Sequence, residues 1–259
     1  MSISFEKLNN NSKIISNAVI NGKHQYIYIN DIDDLKDTDK QLTKMRLNND
    51  NDFFMPYIPN YEIKEPELIY ISGSTGCGKT IFCRNYVITF LKKYPKSKVL
   101  LFSSKTKDDN LDDLPITRVN IDEDILINQI SLSEIEAMSK PVLVIFDDIQ
   151  DFPSKKINIE IARLRDEILR NGRDRSIYGL FVYHDPTDYH NTKTMIKECN
   201  KMVIFPRRAG VGIYDRLMTT YLKIPLKMQN VITKLKSKFV MINRNVPRYI
   251  LTDKYIILI

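Results

Sequence analysis

The sequence contains no tryptophan, and only three cysteines and eight glycines among its 259 residues. The cysteines are odd in number and have neither paired spacing nor nearby histidines, which argues against a disulfide framework and against a zinc site. The scarcity of glycine, together with an apolar content of 43%, excludes collagen-like, low-complexity and wholly disordered chains. The composition therefore predicts a globular protein of a reducing compartment.

Long apolar runs are also missing. No run approaches the roughly 18 to 20 residues that a membrane-spanning helix needs, and residues 1–12 lack the apolar core of a signal peptide. We therefore expect a soluble, non-secreted protein that has no membrane partner. The length allows one or two domains.

Basic residues are concentrated near the carboxyl end. The formal net charge of the chain is +7, and residues 201–259 alone contain twelve basic and two acidic residues. Two interpretations stay open: a solvated basic face, or a surface that binds a polyanion such as nucleic acid.

Short apolar runs alternate with helical patterns from Leu68 to about Pro206. Because these runs lack polar alternation, they are typical of parallel strands that are covered on both faces by helices. The predicted fold class is therefore α/β, with a mainly parallel central sheet. The predicted strands are 68–72, 98–103, 142–146, 177–183 and 202–205, and the predicted helices are 80–93, 125–138, 157–171, 192–198 and 212–222.

The chain divides into three predicted segments. Residues 1–62 form an N-terminal extension, with a strand at 24–30 and a polar, acidic linker after it. Residues 63–210 form the core. Residues 211–259 form a basic segment, which we predict to fold as a helix at 226–236 and a β-hairpin of strands 239–243 and 248–259 packed on the core.

A glycine-rich motif of the form G-x-x-x-x-G-K-T follows the first core strand and precedes a helical pattern. Strand, loop and helix in this order are the context of the phosphate-binding P-loop (Walker A). Glycines let successive backbone N–H groups converge on phosphate oxygens, and the helix N-terminus adds its dipole. The predicted nucleotide-binding residues are Gly73, Ser74, Thr75, Gly76, Cys77, Gly78, Lys79 and Thr80. A redox role for Cys77 is the weaker alternative at that position.

Charged and hydroxyl side chains that follow two of the predicted strands indicate a phosphoryl-transfer reaction that depends on magnesium. Lys79 would neutralise the β- and γ-phosphates of ATP, and Thr80 would offer its hydroxyl to Mg²⁺. The strand at 142–146 ends in Asp147 and Asp148, the position of a Walker B motif, at the edge where parallel strands meet a ligand. We expect Asp147 to hold the metal and Asp148 to orient or deprotonate the attacking water. The alternative is that the two aspartates only end a strand and open a turn.

One histidine and a set of arginines are further candidates for catalysis. His184 follows the next strand and is placed to sense the γ-phosphate, although a histidine at a strand end is often simply solvated. Arg170, Arg173 and Arg175 precede that strand. One of them, or Arg207, is a candidate to reach a neighbouring subunit's nucleotide as an arginine finger. The alternative is that they complete a helix C-terminus.

Five stretches of the chain have an order and spacing that are more specific than the P-loop alone. They are YISGSTGCGKT at 70–80, FSSKTKDDNLDDL at 102–114, VLVIFDD at 142–148, NGRDRSI at 171–177 and YHDPTDYHNTKTMIKECNKMVIFPR at 183–207. Together these stretches resemble the genome-packaging ATPases of large DNA viruses and virophages, the poxvirus-type branch of the FtsK/HerA superfamily.

This resemblance implies a RecA-like P-loop NTPase fold with an additional strand between the P-loop strand and the metal-binding strand. It also implies a homo-oligomeric ring that moves double-stranded DNA into a preformed capsid, with ATP and Mg²⁺ as cofactors. Asp148 stands where the family often has a Glu base, His184 stands where a Gln sensor is common, and Arg173 matches the Arg of a glycine-arginine segment.

The function predicted from these observations is an ATPase that translocates DNA during viral genome packaging. Its expected partners are double-stranded DNA, through the basic carboxyl segment, other copies of the chain, and a capsid or portal-vertex protein. The expected location is the virus factory in the host cytoplasm, or the virion. Two alternatives stay open: a nucleotide or small-molecule kinase, and an ATP-binding switch or assembly factor that does not translocate.

Overall fold

A computed structural model describes residues 1–30, 44–63, 65–119, 121, 130–149, 152, 154–185, 188–208 and 212–259. Fourteen strands occur in these ranges. They are β1 (Ser2–Ser4), β2 (Lys13–Ile20), β3 (Lys23–Asn30), β4 (Lys44–Arg46), β5 (Phe53–Pro56), β6 (Leu68–Ser72), β7 (Lys98–Ser103), β8 (Thr117–Val119), β9 (Val142–Asp147), β10 (Ile177–Tyr183), β11 (Lys201–Ile204), β12 (Val240–Asn243), β13 (Tyr249–Thr252) and β14 (Tyr255–Leu258).

Five α-helices connect these strands in the described part of the chain. They are α1 (Lys79–Lys93), α2 (Leu132–Met138), α3 (Lys155–Asn171), α4 (Tyr189–Glu198) and α5 (Leu226–Lys234). Serine or aspartate caps three of the N-termini: Ser131 for α2, in a capping box with Glu134, Ser154 for α3 and Asp188 for α4. Every helix of the described ranges is too short or too polar to span a membrane.

The larger sheet has ten strands among the described residues, in the order β4-β14-β13-β12-β11-β6-β10-β9-β7-β8. Its central strands β11, β6, β10, β9, β7 and β8 are parallel, so their carboxyl ends meet at one edge. Strand β10 lies between the P-loop strand β6 and the aspartate strand β9. The α/β fold class, with its mainly parallel sheet and this additional strand, is therefore confirmed.

The two faces of the large sheet are covered differently. Alternate residues of the central strands pack against α2, α3 and α4 on one face. On the other face they pack against α1 and against a second, four-stranded sheet with the order β1-β3-β2-β5. Completely buried side chains such as Tyr70 and Ile71 lie next to one another on β6 but belong to opposite faces. Burial on both sides explains why these strands read as continuous apolar runs.

The carboxyl segment continues the large sheet. Strand β12 pairs antiparallel with β11, and β13 and β14 extend the sheet toward β4. The predicted single strand at 248–259 is wrong, because a turn at Asp253 and Lys254 divides it into β13 and β14. The predicted basic helix is confirmed, with α5 ending at Lys234.

Three other elements differ from the sequence predictions. Strand β8 is unpredicted, because its three residues are too few for a periodic signal. The helix predicted at 212–222 reduces to a π-helical turn, Leu217–Tyr221, with a few residues around it, and Gly212 has a left-handed φ of 81°. The helix predicted at 125–138 lies partly outside the described residues, and α2 covers its end.

Candidate active site

The P-loop joins β6 to α1 at the carboxyl edge of the large sheet. Gly76 and Gly78 have φ values of 73° and 115°, which side chains rarely adopt. Both conformations belong to the turn between β6 and α1, in which the Cys77 N–H donates to the Ser74 carbonyl oxygen at 3.3 Å. Ser74, Thr75 and Gly76 are exposed there, whereas Lys79 is buried at the first residue of α1.

The Lys79 ammonium has three partners. Its Nζ donates to the carbonyl oxygens of Gly73 at 2.6 Å and Ser74 at 3.1 Å, and lies 3.0 Å from Nδ1 of His184. Because an ammonium group only donates hydrogen bonds, Nδ1 accepts, and a neutral His184 carries its proton on Nε2. The P-loop lysine thus contacts the predicted sensor directly.

Asp147 and Asp148 occupy the end of β9, as predicted, but with different backbone conformations. Asp147 is the last strand residue, and Asp148 has a left-handed φ of 53°. This turn directs the Asp148 carboxylate toward His184, whose Nε2 lies 2.7 Å from Oδ1. Oδ1 is buried, and its contact with His184 uses one of its two lone pairs, so it can accept a further hydrogen bond only from a water molecule or ligand that enters the site.

Lys105 is a site residue that the sequence prediction missed. It follows β7, and its Nζ lies 2.8 Å from Oδ2 of Asp148 and 3.5 Å from Oδ2 of Asp147. The same loop is fastened by the Ser104 hydroxyl, which donates to the Asp148 carbonyl oxygen at 3.2 Å. The signal was available in principle, because Lys105 follows a parallel strand just as Asp147 and His184 do.

These side chains form a row that follows the strand order. Lys79 follows β6, His184 follows β10, Asp148 follows β9 and Lys105 follows β7, and these four strands are consecutive in the sheet. Each member contacts the next across the edge. A row of two lysines, one histidine and one carboxylate can bind an anion at one end and polarise a water molecule further along.

Burial and charge set the pKa values of this row. Burial lowers the pKa of Lys79, and burial followed by the neighbouring Asp148 raises the pKa of Asp147. Burial alone would raise the pKa of Asp148, but its contacts with Lys105 and His184 hold it below the usual value. Burial also opposes the charge of Lys105, yet the two carboxylates raise its pKa overall. Asp148 is therefore the carboxylate of the pair that ionises more readily.

The residues present fit a nucleotide phosphate chain and Mg²⁺. The glycine conformations open the loop backbone, α1 begins with its N-terminus toward the loop, and Lys79 lies beside it. The hydroxyl of Thr80 and the carboxylate of Asp147 are oxygen donors, which Mg²⁺ prefers. The available Oδ1 of Asp148 lies next to this donor set.

Phe205 and Tyr214, two aromatic residues after β11, pack against the P-loop at Gly73. The sequence analysis did not predict this contact. A Cβ atom on Gly73 would lie 3.1 Å from both the Phe205 ring and the Tyr214 hydroxyl, and 2.7 Å from the Cys77 sulfur. The Tyr214 hydroxyl donates to the Ser72 carbonyl oxygen at 3.0 Å. Gly73 is thus required by close packing, and Cys77 contributes to that packing.

The predicted arginines lie elsewhere. Arg170, Arg173 and Arg175 precede β10, whose seven residues separate them by about 20 Å from the carboxyl edge. Arg175 pairs with Glu136 at 2.8 Å, whereas Arg170 is exposed. Arg173 is half-buried and lines a cavity of about 530 Å³ between the N-terminal sheet and the core. Only Arg207, which is exposed after β11, shares an edge with the P-loop.

Comparison with solved structures places this fold among P-loop NTPases. The genome-packaging NTPase B204 of Sulfolobus turreted icosahedral virus 2, bound to AMPPCP, has a TM-score of 0.52 at 14% identity, covering 76% of this chain and 99% of that one. The DNA-packaging ATPase B204 of Sulfolobus turreted icosahedral virus has a TM-score of 0.53 at 16% identity, covering 73% and 98%. The cytoplasmic domain of the type VII secretion ATPase EccC of Thermomonospora curvata has a TM-score of 0.52 at 13% identity, covering 82% and 28%.

The fold and the site thus define a P-loop NTPase architecture with an additional strand beside the P-loop strand. The chain is also similar in sequence to the uncharacterized protein V3 of Sputnik virophage, at 28% identity over 255 residues and 96% of each chain. No family model matches the chain. The predicted resemblance to viral genome-packaging ATPases is confirmed by these neighbours.

Proposed function

We propose that this protein is a magnesium-dependent ATPase whose hydrolysis drives double-stranded DNA into a viral capsid. The observation that carries the proposal is the row Lys79, His184, Asp148 and Lys105 across four consecutive strands. This row joins a phosphate-binding loop to an ionised carboxylate whose Oδ1 can accept a hydrogen bond from water. Attack by water on a phosphate requires both of these features.

The P-loop binds the phosphates in this proposal. The N–H groups of residues 74–80 and the N-terminus of α1 bind the phosphate oxygens, and Lys79 neutralises the β- and γ-phosphates. Lys79 is already held near the loop by the Gly73 and Ser74 carbonyl oxygens. These two carbonyl oxygens and His184 engage all three of its N–H donors, so a bound phosphate would replace at least one of these partners.

Thr80 and Asp147 would hold Mg²⁺ through oxygen atoms. When bound, the ion supplies charge neutralisation on the phosphate oxygens. Burial raises the pKa of Asp147, so a cation ligand is also the natural way to keep this buried carboxylate ionised.

Asp148 acts on the attacking water. Its Oδ2 is held by Lys105, and Oδ1 has a second lone pair beside its contact with His184, so the carboxylate is positioned to accept a proton or a hydrogen bond from water that enters the site. His184 contacts both Asp148 and Lys79. It is therefore suited to link the presence of a γ-phosphate at Lys79 to the position of Asp148.

A ring of identical subunits completes the proposed site. Because Arg173 is about 20 Å from its own nucleotide edge, a catalytic role for it requires a neighbouring subunit's nucleotide. Arg173 has the half-exposed position that such a role needs, whereas Arg175 is engaged by Glu136. Arg170 and Arg207 are the other candidates.

DNA is the proposed cargo for two reasons. The carboxyl segment carries a large excess of basic residues, and two neighbours in fold are described as packaging a genome or DNA. A capsid or portal-vertex protein is the proposed docking partner, and the virus factory or the virion is the proposed place of action.

The test is phosphate release from ATP by the purified protein, with and without double-stranded DNA, over a range of protein concentrations. We expect magnesium-dependent hydrolysis that DNA stimulates, with a specific activity that rises with protein concentration as rings form. Lys79→Ala serves as the control for contaminating ATPase.

The other outcomes identify the alternatives. Hydrolysis that is indifferent to DNA would favour an ATP-dependent switch or assembly factor. Phosphate transfer to an added nucleotide or small molecule, without release to water, would favour a kinase. Either result would overturn the translocase proposal while leaving the P-loop assignment in place.

A further inference from the structure

The structure separates the basic residues of the carboxyl segment into two groups. Four of the twelve serve the fold itself: Lys201 pairs with buried Glu67, and Arg244, Arg248 and Lys254 donate to backbone carbonyl oxygens. Arg244, for example, donates to the Cys199 carbonyl oxygen at 2.8 Å, near the C-terminus of α4. These contacts give four of the twelve basic residues a role in the fold, so this part of the charge excess does not require a ligand to explain it.

A second group is exposed and forms what we call the lysine ridge: Lys223, Lys227, Lys234, Lys236 and Lys238. No acidic residue occurs between Asp215 and Asp253 in the sequence, and none of the five lysines forms a salt bridge with a described residue. A solvated structural face ordinarily mixes both signs of charge. The ridge carries positive charge only, so no acidic neighbour in the sequence reduces its positive electrostatic potential.

Helix α5 orders the middle of the ridge. Lys227 and Lys234 are seven residues apart, so they lie on the same side of the helix, about 10 Å apart along its axis. Asn230 and Val231 lie between them and are exposed as well, whereas Gln229 and Ile232 on the opposite side are buried. The result is a straight, polar and cationic stripe with no carboxylate in it.

The two ends of the ridge reach opposite edges of the large sheet. At one end, Lys223 lines a pocket of about 220 Å³ with Arg244, Arg248, Tyr221 and Leu222. Three cations and no carboxylate line this pocket, which suits a phosphate group. At the other end, the chain passes Lys236 and Lys238 and enters β12, whose first residue pairs with the end of β11 beside the P-loop.

An aromatic contact joins that second end to the nucleotide site. The ring of Phe239, which follows Lys238, packs edge-on against the ring of Phe82 at a centroid distance of 5.1 Å. Phe82 lies in the first turn of α1, three residues after Lys79. The contact therefore joins the chain segment that carries Lys238 to the helix that follows the P-loop.

We propose that the lysine ridge and its adjoining pocket bind the phosphate backbone of duplex DNA, and that the Phe239–Phe82 contact couples this binding to the P-loop helix. This inference rests on the proposed function and names the surface and the route of coupling. A sequence-independent cationic stripe fits a phosphate backbone, because it needs no base contacts to move from one position to the next.

The surface is tested with the double variant Lys227→Gln/Lys234→Gln, since glutamine has a helix propensity similar to that of lysine. The matched control is Lys155→Gln/Lys156→Gln, which removes two exposed lysines from the first turn of α3. Fluorescence anisotropy measures the binding of a short random-sequence duplex from low to physiological salt. Thermal unfolding checks that both variants remain folded.

We expect the ridge variant to bind more weakly and to lower the steepness of the log affinity against log salt plot by about 2, with the control unchanged. If the unmodified protein binds duplex DNA and both variants bind equally well, the ridge assignment is wrong while the proposed function stands. If the unmodified protein binds no duplex at low salt, the proposed function fails together with the inference. Tighter binding to single-stranded RNA than to duplex DNA would also overturn the choice of partner.

The coupling is tested with Phe239→Leu, which keeps an apolar side chain but removes the ring contact. Because Phe239 bears no charge, we expect the salt dependence of duplex binding to persist, while the stimulation of ATP hydrolysis by DNA falls several-fold. Full stimulation in this variant would overturn the coupling route. Loss of duplex binding itself would assign Phe239 to the DNA surface and also overturn it.

Discussion

Two ionic clusters lie at opposite edges of the same sheet, and they differ in how far water reaches them. At the carboxyl edge, the Lys105 side chain retains 45% exposure while it contacts the nearly buried Asp148. At the opposite edge, Glu67 and Lys201 retain 2% and 7%. The first cluster is open to solvent on the side of Lys105, whereas both members of the second are almost completely buried at the wall of the cavity that Arg173 lines.

The buried pair is built into the sheet. Glu67 immediately precedes β6 and Lys201 begins the adjacent β11, and the Tyr86 hydroxyl of α1 donates to the second Glu67 oxygen at 2.8 Å. The pair therefore joins two neighbouring strands and a helix. Ionic contacts of similar appearance thus join elements of the fold at one edge of this molecule and, in the proposed function, take part in ATP hydrolysis at the other.

The largest expected effect is at the buried pair. Lys201→Met leaves the Glu67 carboxylate buried and unpaired, so we expect a loss of about 3–5 kcal/mol in the free energy of unfolding. Urea unfolding followed by circular dichroism measures it. The double variant Glu67→Gln/Lys201→Met is expected to lose less than the single variant. A single variant as stable as the parent protein would contradict the structural role of the pair.

At the carboxyl edge, Asp148→Asn is expected to slow ATP hydrolysis by about a thousandfold, because the amide cannot accept a proton from water. ATP binding should persist, since the P-loop is unchanged. Equilibrium binding of a fluorescent ATP analogue and steady-state phosphate release separate the two properties. Turnover at the parent rate would remove Asp148 from its proposed role.

Lys79→Ala is expected to reduce hydrolysis by about a hundredfold to a thousandfold, through the loss of a preorganised cation at the phosphates. The melting temperature of Lys79→Ala should change little, whereas that of Lys201→Met should fall. This difference would separate the roles of the two edges of the sheet. Retention of the parent hydrolysis rate would refute the assignment of the P-loop.

The smallest expected effect is at Lys105. Lys105→Met removes the cation that faces two carboxylates, so we expect the free energy of unfolding of the nucleotide-free protein to fall by about 1 kcal/mol. Because Mg²⁺ can take the place of the missing cation, we expect it to stabilise this variant more than it stabilises the parent protein. Scanning fluorimetry with MgCl₂ against NaCl of equal ionic strength measures the shift in Tm. Lys107→Met is the matched control, because Lys107 pairs with exposed Asp109 in the same loop. Equal Mg²⁺ shifts in both variants would show that Lys105 and Mg²⁺ do not compete.

The sequence was sufficient for those parts of the site that are local in the chain. The P-loop from Gly73 to Thr80 is one short turn with its own glycine requirements, and Asp147 and Asp148 end a strand whose apolar run is visible. His184 was found for the same reason. Lys105 also follows a parallel strand, but it was missed because its contact with Asp148 depends on β7 lying beside β9, and no local pattern encodes that neighbour.

The N-terminal extension shows the same limit at the scale of the fold. The sequence predicted a strand at 24–30, and β3 confirms it. That the extension forms a four-stranded sheet covering one face of the large sheet depends on contacts such as the Tyr178 hydroxyl with the Pro59 carbonyl oxygen, 119 residues apart. Short strands such as β1 and β4 owe their conformation to these partners rather than to their own periodicity.

By itself, the sequence determined the α/β class, the places of the glycine-rich loop and of the paired carboxylates, and the excess of positive charge, because each follows from residues close together in the chain. The tertiary structure alone decided which cations remain exposed, which carboxylate faces His184 and Lys105, and at which edge Arg173 lies. The physical reason is that strand order in the sheet, β6-β10-β9-β7, differs from chain order. Burial and neighbouring charge therefore act between residues that are far apart in sequence.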